Sequence, residues 1–392
     1  MIKKTYNSKK LIVLLSLVSF LLMACSNAST NNISSSKSAP AGINSKSSTT
    51  VKPPLVGLVD MGAQQPYQLG QNFPIVNLSE LGNDYQAFKG IVINETWAQL
   101  EPSQGNYDWT DLDNSLSAVN NYNLSHPSYQ LSVKFRIFGG KTAPEWAKNL
   151  GGSPVTLITG KSRLVGTFGR WWTSSYNQAW STFLHALASR YDNNSLVRAV
   201  AVTSCGSSTG EPFVLSLNGQ NAIALENAGW TVQAEESCLD SIFSDYSGFK
   251  ITPIDLASNP LEVLVNNKAS SDLAFTEQIM SKCATSQENG GPICVLGNND
   301  LSNSVTTLRP ASIYSEIDTL WNAKPNSFGI YFQTVAPNQN VGCQAISIAI
   351  SHHATSVELW PPQGKIPGFS SIPLSSLKQW NSDLISGTPL NC

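Results

Sequence analysis

Two glutamates, Glu211 and Glu358, are the residues of this sequence best placed for acid–base chemistry. Glu211 follows an apolar run at 197–204 and Glu358 lies within another at 356–360, and both runs are typical of β-strands. Two carboxyl groups can divide a hydrolysis between them. One is held protonated to help a leaving oxygen depart, while the other is ionised and attacks or activates water.

Each glutamate also has a purely structural interpretation. Glu358 lies between Val357 and Leu359, so a carboxylate that points inward from this strand needs either a partner or a function. Arg136 could be that partner in a salt bridge, or it could orient a catalytic Glu358 and hold it ionised. Glu211 could be a rim carboxylate that makes a loop hydrogen bond. The sequence leaves these alternatives open.

The segments that must position these residues alternate between apolar runs and amphipathic stretches. Several runs are continuously apolar, as in parallel strands buried on both faces. The pattern predicts an α/β fold, a (β/α)8 TIM barrel with enlarged loops, over residues 55–392. A doubly wound open sheet is the competitor, and it is disfavoured because no GxGxxG or Walker motif follows a strand. The predicted strands are 55–61, 90–94, 130–138, 197–204, 251–257, 293–297, 328–334 and 356–360, and amphipathic segments lie at 171–191, 230–246, 271–286, 311–321 and 344–353.

Residues after the second predicted strand are similar to those of a known family. The run 97–109, Trp-x-x-Leu-Glu-Pro-x-x-Gly-x-Tyr-Asp-Trp, resembles the segment that follows strand two in retaining (β/α)8 glycoside hydrolases, including bacterial β-galactosidase-like members. The helix at 171–191 and the Pro144-x-Trp146 loop are similar as well. The resemblance implies a barrel whose active site is built from loops after the carboxyl ends of the strands.

The same resemblance implies roles for particular residues. Glu211, after strand four, corresponds to the family's general acid/base, although Gly210 stands where the family usually has Asn. The family's nucleophile ends strand seven, where this chain has Gln333, and an amide cannot serve as a carboxylate nucleophile. Glu358 on strand eight is the nearest substitute, and Trp360 resembles the tryptophan that floors the sugar site. Strands four and eight face each other, so we expect a carboxyl separation of roughly 6.5–9.5 Å, typical of inversion.

Other residues near predicted strand ends are candidates for binding sugar. Polar side chains there could hydrogen-bond hydroxyl groups, and flat indoles could stack on sugar rings. These candidates are Asp60, Glu95, Arg136, Asn298 and Gln333, with Trp97, Trp146 and Trp360 as stacking platforms. We therefore predict an exported, lipid-anchored glycoside hydrolase that cleaves an O-glycosidic bond of an oligo- or polysaccharide. A catalytically inactive carbohydrate-binding barrel is the alternative, favoured by Gln333 and Gly210.

The N-terminal residues predict export. A lysine-rich start and a short apolar run occupy residues 1–25, and the run ends Leu22-Met23-Ala24-Cys25. This ending resembles the lipobox of bacterial lipoproteins, which implies a lipidated Cys25 anchored to a bacterial membrane on the periplasmic or cell-surface side. An ordinary secretory signal is the alternative. Residues 26–54, rich in Ser, Thr and Asn, are predicted to form a disordered tether.

Cysteine usage agrees with an oxidising compartment. Six cysteines remain besides Cys25, and six allow fifteen pairings. We predict the nearest-neighbour pairs, with free buried thiols as the alternative. No CxxC pair occurs, so a thiolate metal site is unsupported. The predicted disulfides are Cys205–Cys238, Cys283–Cys294 and Cys343–Cys392.

Composition excludes several classes of function. The formal net charge is −2 and no basic run exists beyond the N-terminus, which argues against nucleic-acid binding. All four histidines fall outside the predicted strand ends, so we expect no Ser-His-Asp triad, no metal and no cofactor. Ten Trp and eleven Tyr suit sugar stacking and ordinary cores alike. We expect a monomer that binds carbohydrate.

Overall fold

The computed structural model describes most of the chain beyond the N-terminal segment. The predicted leader at 1–25 with its predicted lipidation site Cys25, residues 26–49 of the predicted tether and Gly210 lie outside the described residues. The described residues are 50–64, 72–78, 83–158, 164–205, 211–213, 215, 217, 219–266, 268–304, 308–335, 342–361, 369, 371–390 and 392.

The strands are numbered in chain order. They are β1 (Gly57–Asp60), β2 (Gly90–Thr96), β3 (Ser132–Phe138), β4 (Val155–Ile158), β5 (Leu164–Phe168), β6 (Val197–Ala201), β7 (Ile254–Ala257), β8 (Leu261–Val265), β9 (Lys268–Asp272), β10 (Cys294–Leu301), β11 (Gly329–Thr334) and β12 (Ser356–Leu359). Eight of them form a closed parallel barrel in the order β1-β2-β3-β6-β7-β10-β11-β12. β1 pairs with both β2 and β12, which closes the ring.

Helices connect the barrel strands. They are α1 (Trp97–Leu100), α2 (Thr110–Ser125), α3 (Glu145–Lys148), α4 (Ser174–Tyr191), α5 (Gly219–Asn227), α6 (Val232–Asp245), α7 (Leu273–Thr285), α8 (Leu308–Ala323), α9 (Cys343–Ser351) and α10 (Leu374–Ser386). The predicted (β/α)8 barrel is therefore confirmed, with all eight predicted strands present. Within the described residues, no helix is both long and apolar enough to cross a membrane.

The fifth predicted strand begins later than expected. The run 251–257 contributes only β7, because the backbone N–H groups of Ile251 and Thr252 donate to the carboxylate of Asp192 instead of to a neighbouring strand. Asp192 follows α4 directly and also accepts from the N–H of Lys250. A side chain thus replaces the first hydrogen bonds of the β-ladder.

Side-chain alternation divides the barrel strands into two faces. Along β3, Val133, Phe135 and Ile137 belong to the main core between the barrel and its helices. Lys134 and Arg136 alternate with them and point into the barrel, where both are buried. The apolar part of the interior is small, and it is capped by a half-buried Trp360. It consists of Leu55, Val59, Met61, Val92 and Ala199, with a second small cluster of Ala257, Val295 and Tyr331.

Two antiparallel hairpins enlarge the loops at the carboxyl ends of the barrel strands, as predicted. The hairpin β4–β5 follows the third barrel strand, and β8–β9 follows the fifth. Helix α5 joins the first hairpin through Asn221, whose side-chain amide bonds both the N–H and the carbonyl of Ile158. These insertions surround the end of the barrel at which an active site is expected.

Three disulfides are formed. They join Cys205 to Cys238, Cys283 to Cys294 and Cys343 to Cys392. These are the nearest-neighbour pairs predicted from the sequence. The first links the loop after β6 to α6, the second links α7 to the first residue of β10, and the third ties the C-terminus to α9.

Lys52 docks at the amino-terminal end of the barrel. Its ammonium group donates to the carbonyl oxygens of Asn194 and Val197, at 2.7 and 2.9 Å, and to the hydroxyl of Thr252 at 2.8 Å. Its backbone N–H donates to Ile251. Lys52 lies within the predicted tether at 26–54, yet its side chain is buried against the barrel.

We expect the Lys52→Met variant to be about 1–3 kcal/mol less stable than the wild type in urea unfolding, since two buried carbonyls and a hydroxyl lose their donor. Lys250→Met is the control, because Lys250 is exposed, and it should change the free energy of unfolding by less than about 0.5 kcal/mol. Equal effects of the two substitutions would mean that Lys52 is not structurally docked.

Candidate active site

A layer of paired charges crosses the interior of the barrel. Glu358, on β12, binds Lys134 through Oε1 and Arg136 through Oε2, the latter at 2.5 Å. Lys134 also pairs with Asp255 on β7 at 2.7 Å. Its ammonium lies 3.8 Å from the centroid of the Tyr331 ring on β11. Four strands thus contribute side chains to one buried network.

The network keeps Glu358 ionised. Burial by itself would raise the pKa of this carboxyl, but the charges of Arg136 and Lys134 outweigh burial and hold the pKa below its ordinary value. Asp255 responds in the opposite direction, since burial raises its pKa more than Lys134 lowers it. The two carboxyl groups therefore differ in their ease of protonation although they share one lysine.

Glu211 acts on the same network. It lies half-buried in the loop after β6. Burial tends to lower the pKa of Arg136, yet the charge of Glu358 raises it overall and the charge of Glu211 adds to that rise. Glu211 also contributes to the raised pKa of Tyr331, which is caused mainly by burial. The two predicted catalytic glutamates are therefore both close enough to Arg136 to influence its ionisation.

Trp360 and Gln333 flank Glu358. Gln333 is the register partner of Glu358 on the neighbouring strand β11, which is where the resemblance placed a nucleophile. Within the described residues its buried Oε1 has no hydrogen-bond partner. Trp360 follows β12, remains half-buried, and is fixed through its backbone N–H by the hydroxyl of Thr334 at 3.0 Å. Together they border the carboxyl end of the barrel on this side.

Two predicted sugar-binding carboxyl groups do not reach the barrel interior. Asp60 alternates with Val59, and its carboxylate accepts hydrogen bonds from the N–H of Gly62 at 2.5 Å and the hydroxyl of Tyr85 at 3.0 Å. Glu95 lies on the outward face of β2 with Ile93, and its side chain is fully buried. Asp60 ends β1 and Glu95 is the penultimate residue of β2, and alternation turns both side chains toward the helices. Their assignment to sugar binding is therefore not supported by their positions.

Trp97 is a core residue and not a stacking platform. It is completely buried, its ring packs edge-on against Trp146, Tyr176 and Trp180, and its indole N–H donates to Glu101 at 2.7 Å. Trp146 belongs to the same cluster and donates to the carbonyl of Glu101 at 3.0 Å. The aromatic motif that carries the family resemblance is thus structural.

Asn298 also has a structural role. It is fully buried, its amide donates to the carbonyl of Ser258 at 2.9 Å, and its Oδ1 accepts from the backbone N–H of Asp300 at 2.8 Å. These bonds connect the ends of β7 and β10, and they leave the side chain inaccessible to a ligand. Of the predicted binding residues, the structure brings Arg136, Gln333 and Trp360 together around Glu358.

Lys134 and Asp255 belong to this network but were not among the site residues predicted from the sequence. Lys134 stands two residues before Arg136 in the run 133–138, whose other positions are apolar, so both cations must share a face. That spacing was a usable signal for a charged barrel interior. Asp255, in the run Ile-Asp-Leu-Ala, carried no comparable signal. The described residues contain no group of three His, Cys, Asp or Glu side chains arranged to hold a metal ion.

The sequence matches no protein-family model and no curated protein sequence. Solved structures do resemble the fold. The catalytic domain of β-amylase from Paenibacillus polymyxa is 11% identical, with a TM-score of 0.52 over 86% of this chain and 100% of that one. Endo-glycoceramidase II from Rhodococcus sp. is 16% identical, with a TM-score of 0.50 over 84% of this chain and 80% of that one. What the chain shares with them is the barrel fold.

The buried Glu95 predicts a pH effect on stability. Burial, with a smaller contribution from Asp111, raises its pKa from the usual 4.5 to about 9. The folded state therefore binds this proton more tightly than the unfolded state, so the stability that it contributes is complete below pH 4.5 and is lost as pH rises to about 9.

We expect Glu95→Gln to stabilise the protein at pH 8 by on the order of a few kcal/mol and to have little effect at pH 4, because the amide remains neutral at both pH values. Guanidinium unfolding at the two pH values measures the difference. Glu226→Gln, at an exposed position on α5, is the matched control. If Glu95→Gln changed the free energy of unfolding equally at both pH values, the Glu95 carboxyl would not be protonated in the folded state as we expect.

Proposed function

We propose that this chain is a glycoside hydrolase in which Glu211 is the proton donor and Glu358 is the ionised partner carboxylate. The observation that carries the proposal is the buried ion pair of Glu358 with Arg136 at 2.5 Å, on the strand opposite β6, which leads into the loop of Glu211. The charge of Glu211 also contributes to the raised pKa of Arg136. Hydrolysis of a glycosidic bond needs two carboxyl groups in different protonation states on either side of one bond. The barrel fold shared with a β-amylase and an endo-glycoceramidase supports this choice.

The environment of Glu358 suits a group that must stay negative. Two buried cations hold it ionised, and its strand lies diametrically opposite β6, which leads into the loop of Glu211. Placement on opposite strands leaves room between the carboxyl groups for a water molecule. We therefore propose that Glu358 activates water while Glu211 protonates the leaving oxygen, and that the anomeric configuration inverts.

Trp360 is the proposed floor of the sugar site. Its half-buried indole follows Glu358 by two residues and rests on the small apolar interior. An aromatic face next to a carboxylate binds the apolar side of a sugar ring while the hydroxyl groups meet polar side chains. Gln333, beside Glu358 in the ladder, is the proposed hydroxyl partner.

We further propose that the enzyme works outside the cytoplasm. Three disulfides require an oxidising compartment. The lysine-rich, apolar N-terminus that ends in Cys25 supports a lipid anchor to a bacterial membrane, and the barrel is proposed to act as a monomer. The substrate is then an extracellular or periplasmic oligo- or polysaccharide.

A catalytically inactive carbohydrate-binding barrel is the second candidate. Both oxygens of Glu358 are engaged by cations, and only 2% of its side chain is exposed. Gln333 also replaces the carboxylate that the resemblance places on the seventh barrel strand. A barrel of this kind would bind sugar at Trp360 without cleaving it.

We expect Glu211→Gln to lower kcat by about 10²- to 10⁴-fold on any glycoside that the wild type hydrolyses, because the amide cannot donate a proton to the leaving oxygen. The substrate panel should include glucans and glycolipids, since the structural neighbours are named β-amylase and endo-glycoceramidase. Glu145→Gln is the matched control, because Glu145 is exposed on α3 after the third barrel strand.

Glu358→Asp complements this experiment, since it keeps the charge that balances Lys134 and Arg136 but withdraws the carboxylate by one methylene. It should fold, as judged by circular dichroism, and lose activity. If Glu211→Gln had the same kcat as the wild type, Glu211 would be excluded as the proton donor. Sugar binding without turnover by both the wild type and Glu211→Gln would establish the binding barrel instead.

A further inference from the structure

Thr203 and Ser204, which precede the loop of Glu211 in the chain, are both fixed by hydrogen bonds. The N–H of Thr203 donates to the hydroxyl of Tyr246 at 3.1 Å, and its side-chain hydroxyl donates to the carbonyl of Ile137 at 2.5 Å. The next residue, Ser204, accepts a hydrogen bond from the indole of Trp180 at 2.9 Å. Three different elements, the turn after α6, strand β3 and helix α4, thus hold two consecutive residues.

Cys205 completes this upstream anchor through its disulfide with Cys238 on α6. Its φ angle is +62°, a left-handed conformation that L-residues other than Gly, Asn and Asp seldom adopt. The covalent link therefore holds a backbone turn that a free chain would leave readily. Only five residues separate Cys205 from Glu211.

A second anchor follows Glu211. Phe213 is completely buried, and its carbonyl accepts a weak hydrogen bond from the N–H of Glu262 on β8. The carboxylate of Glu262 in turn accepts the backbone N–H groups of Leu215 and Leu217 at 3.2 and 3.1 Å. One carboxylate thus holds two alternate residues of the segment, and both of their side chains are buried.

We propose that the Cys205–Cys238 disulfide and Glu262 are positioning groups that set the place of the Glu211 carboxyl relative to Arg136. The inference rests on the proposed role of Glu211. General acid catalysis depends on placement, and a displacement of about 1 Å can cost on the order of 100-fold in rate. Loss of this disulfide would therefore lower the rate of hydrolysis.

The decisive comparison is between two disulfides of the same chain. Cys205→Ser/Cys238→Ser removes the link beside Glu211, whereas Cys283→Ser/Cys294→Ser removes a link at the opposite end of the barrel. We expect the first double variant to lower kcat by about 10- to 100-fold with KM changed less than about 3-fold, and to shift the pH–rate profile. The second should lower the Tm without either effect.

Glu262 supplies an independent variant. Glu262→Ala should lower kcat in the same way, and Glu262→Gln should restore part of it, because the amide oxygen still accepts backbone N–H groups. Equal kcat values and equal pH–rate profiles for the two double-serine variants would overturn the proposal and make Cys205–Cys238 a simple stabilising link.

Hydrogen exchange of the peptide that contains Glu211 separates failure of the positioning from failure of the proposed function. Faster exchange in this peptide in Cys205→Ser/Cys238→Ser, but not in Cys283→Ser/Cys294→Ser, supports the anchors even if Glu211→Gln leaves turnover intact. Unchanged exchange in both double variants contradicts the anchors, whatever the role of Glu211.

Discussion

The ion pairing of Glu358 with Lys134 and Arg136 is the interaction on which the rest of the barrel interior depends. Charges this deeply buried are tolerated only when each has a partner, and removing one member of such a pair typically costs about 3–5 kcal/mol. Lys134 has two partners, Glu358 on β12 and Asp255 on β7, and the face of the Tyr331 ring below it. The network therefore joins β3, β7, β11 and β12 across the interior of the closed barrel.

The same interaction also decides which protonation state Glu358 can have in a reaction. A carboxylate that two cations keep ionised cannot act as a proton donor, so any donor must come from elsewhere. In our proposal Glu211 supplies it, since its loop follows the strand opposite β12. Arg136 links the two roles because its charge is stabilised by Glu358 and also by Glu211. In this proposal the Cys205–Cys238 disulfide and the Glu262 contacts that flank Glu211 position its carboxyl group as well as stabilise the fold.

The sequence predicted the barrel well because its signals are local. Apolar runs located all eight strands, and nearest-neighbour spacing predicted the three disulfides that are present. The site was predictable only in part. Glu358 and Arg136 were paired correctly, since an inward glutamate on a strand needs a partner.

The errors concern the direction in which strand-end side chains point. Asp60 and Glu95 lie at or next to the ends of their strands, as a site residue would, but the position of a strand end does not reveal on which face a given residue falls. Trp97 matched a family motif whose function proved to be packing. Lys52 resembled tether composition, and its docking depends on the carbonyl groups of Asn194 and Val197, which are distant in sequence.

The stereochemistry of hydrolysis tests the central claim most directly. Proton NMR of the first product formed by the wild type from a glycoside of defined anomeric configuration measures it before mutarotation. We predict inversion, because carboxyl groups on opposite strands leave space for a water molecule between Glu358 and the sugar. Retention of configuration, or no product from any glycoside that binds at the barrel mouth, would contradict the assignment of Glu211 and Glu358 as the catalytic pair.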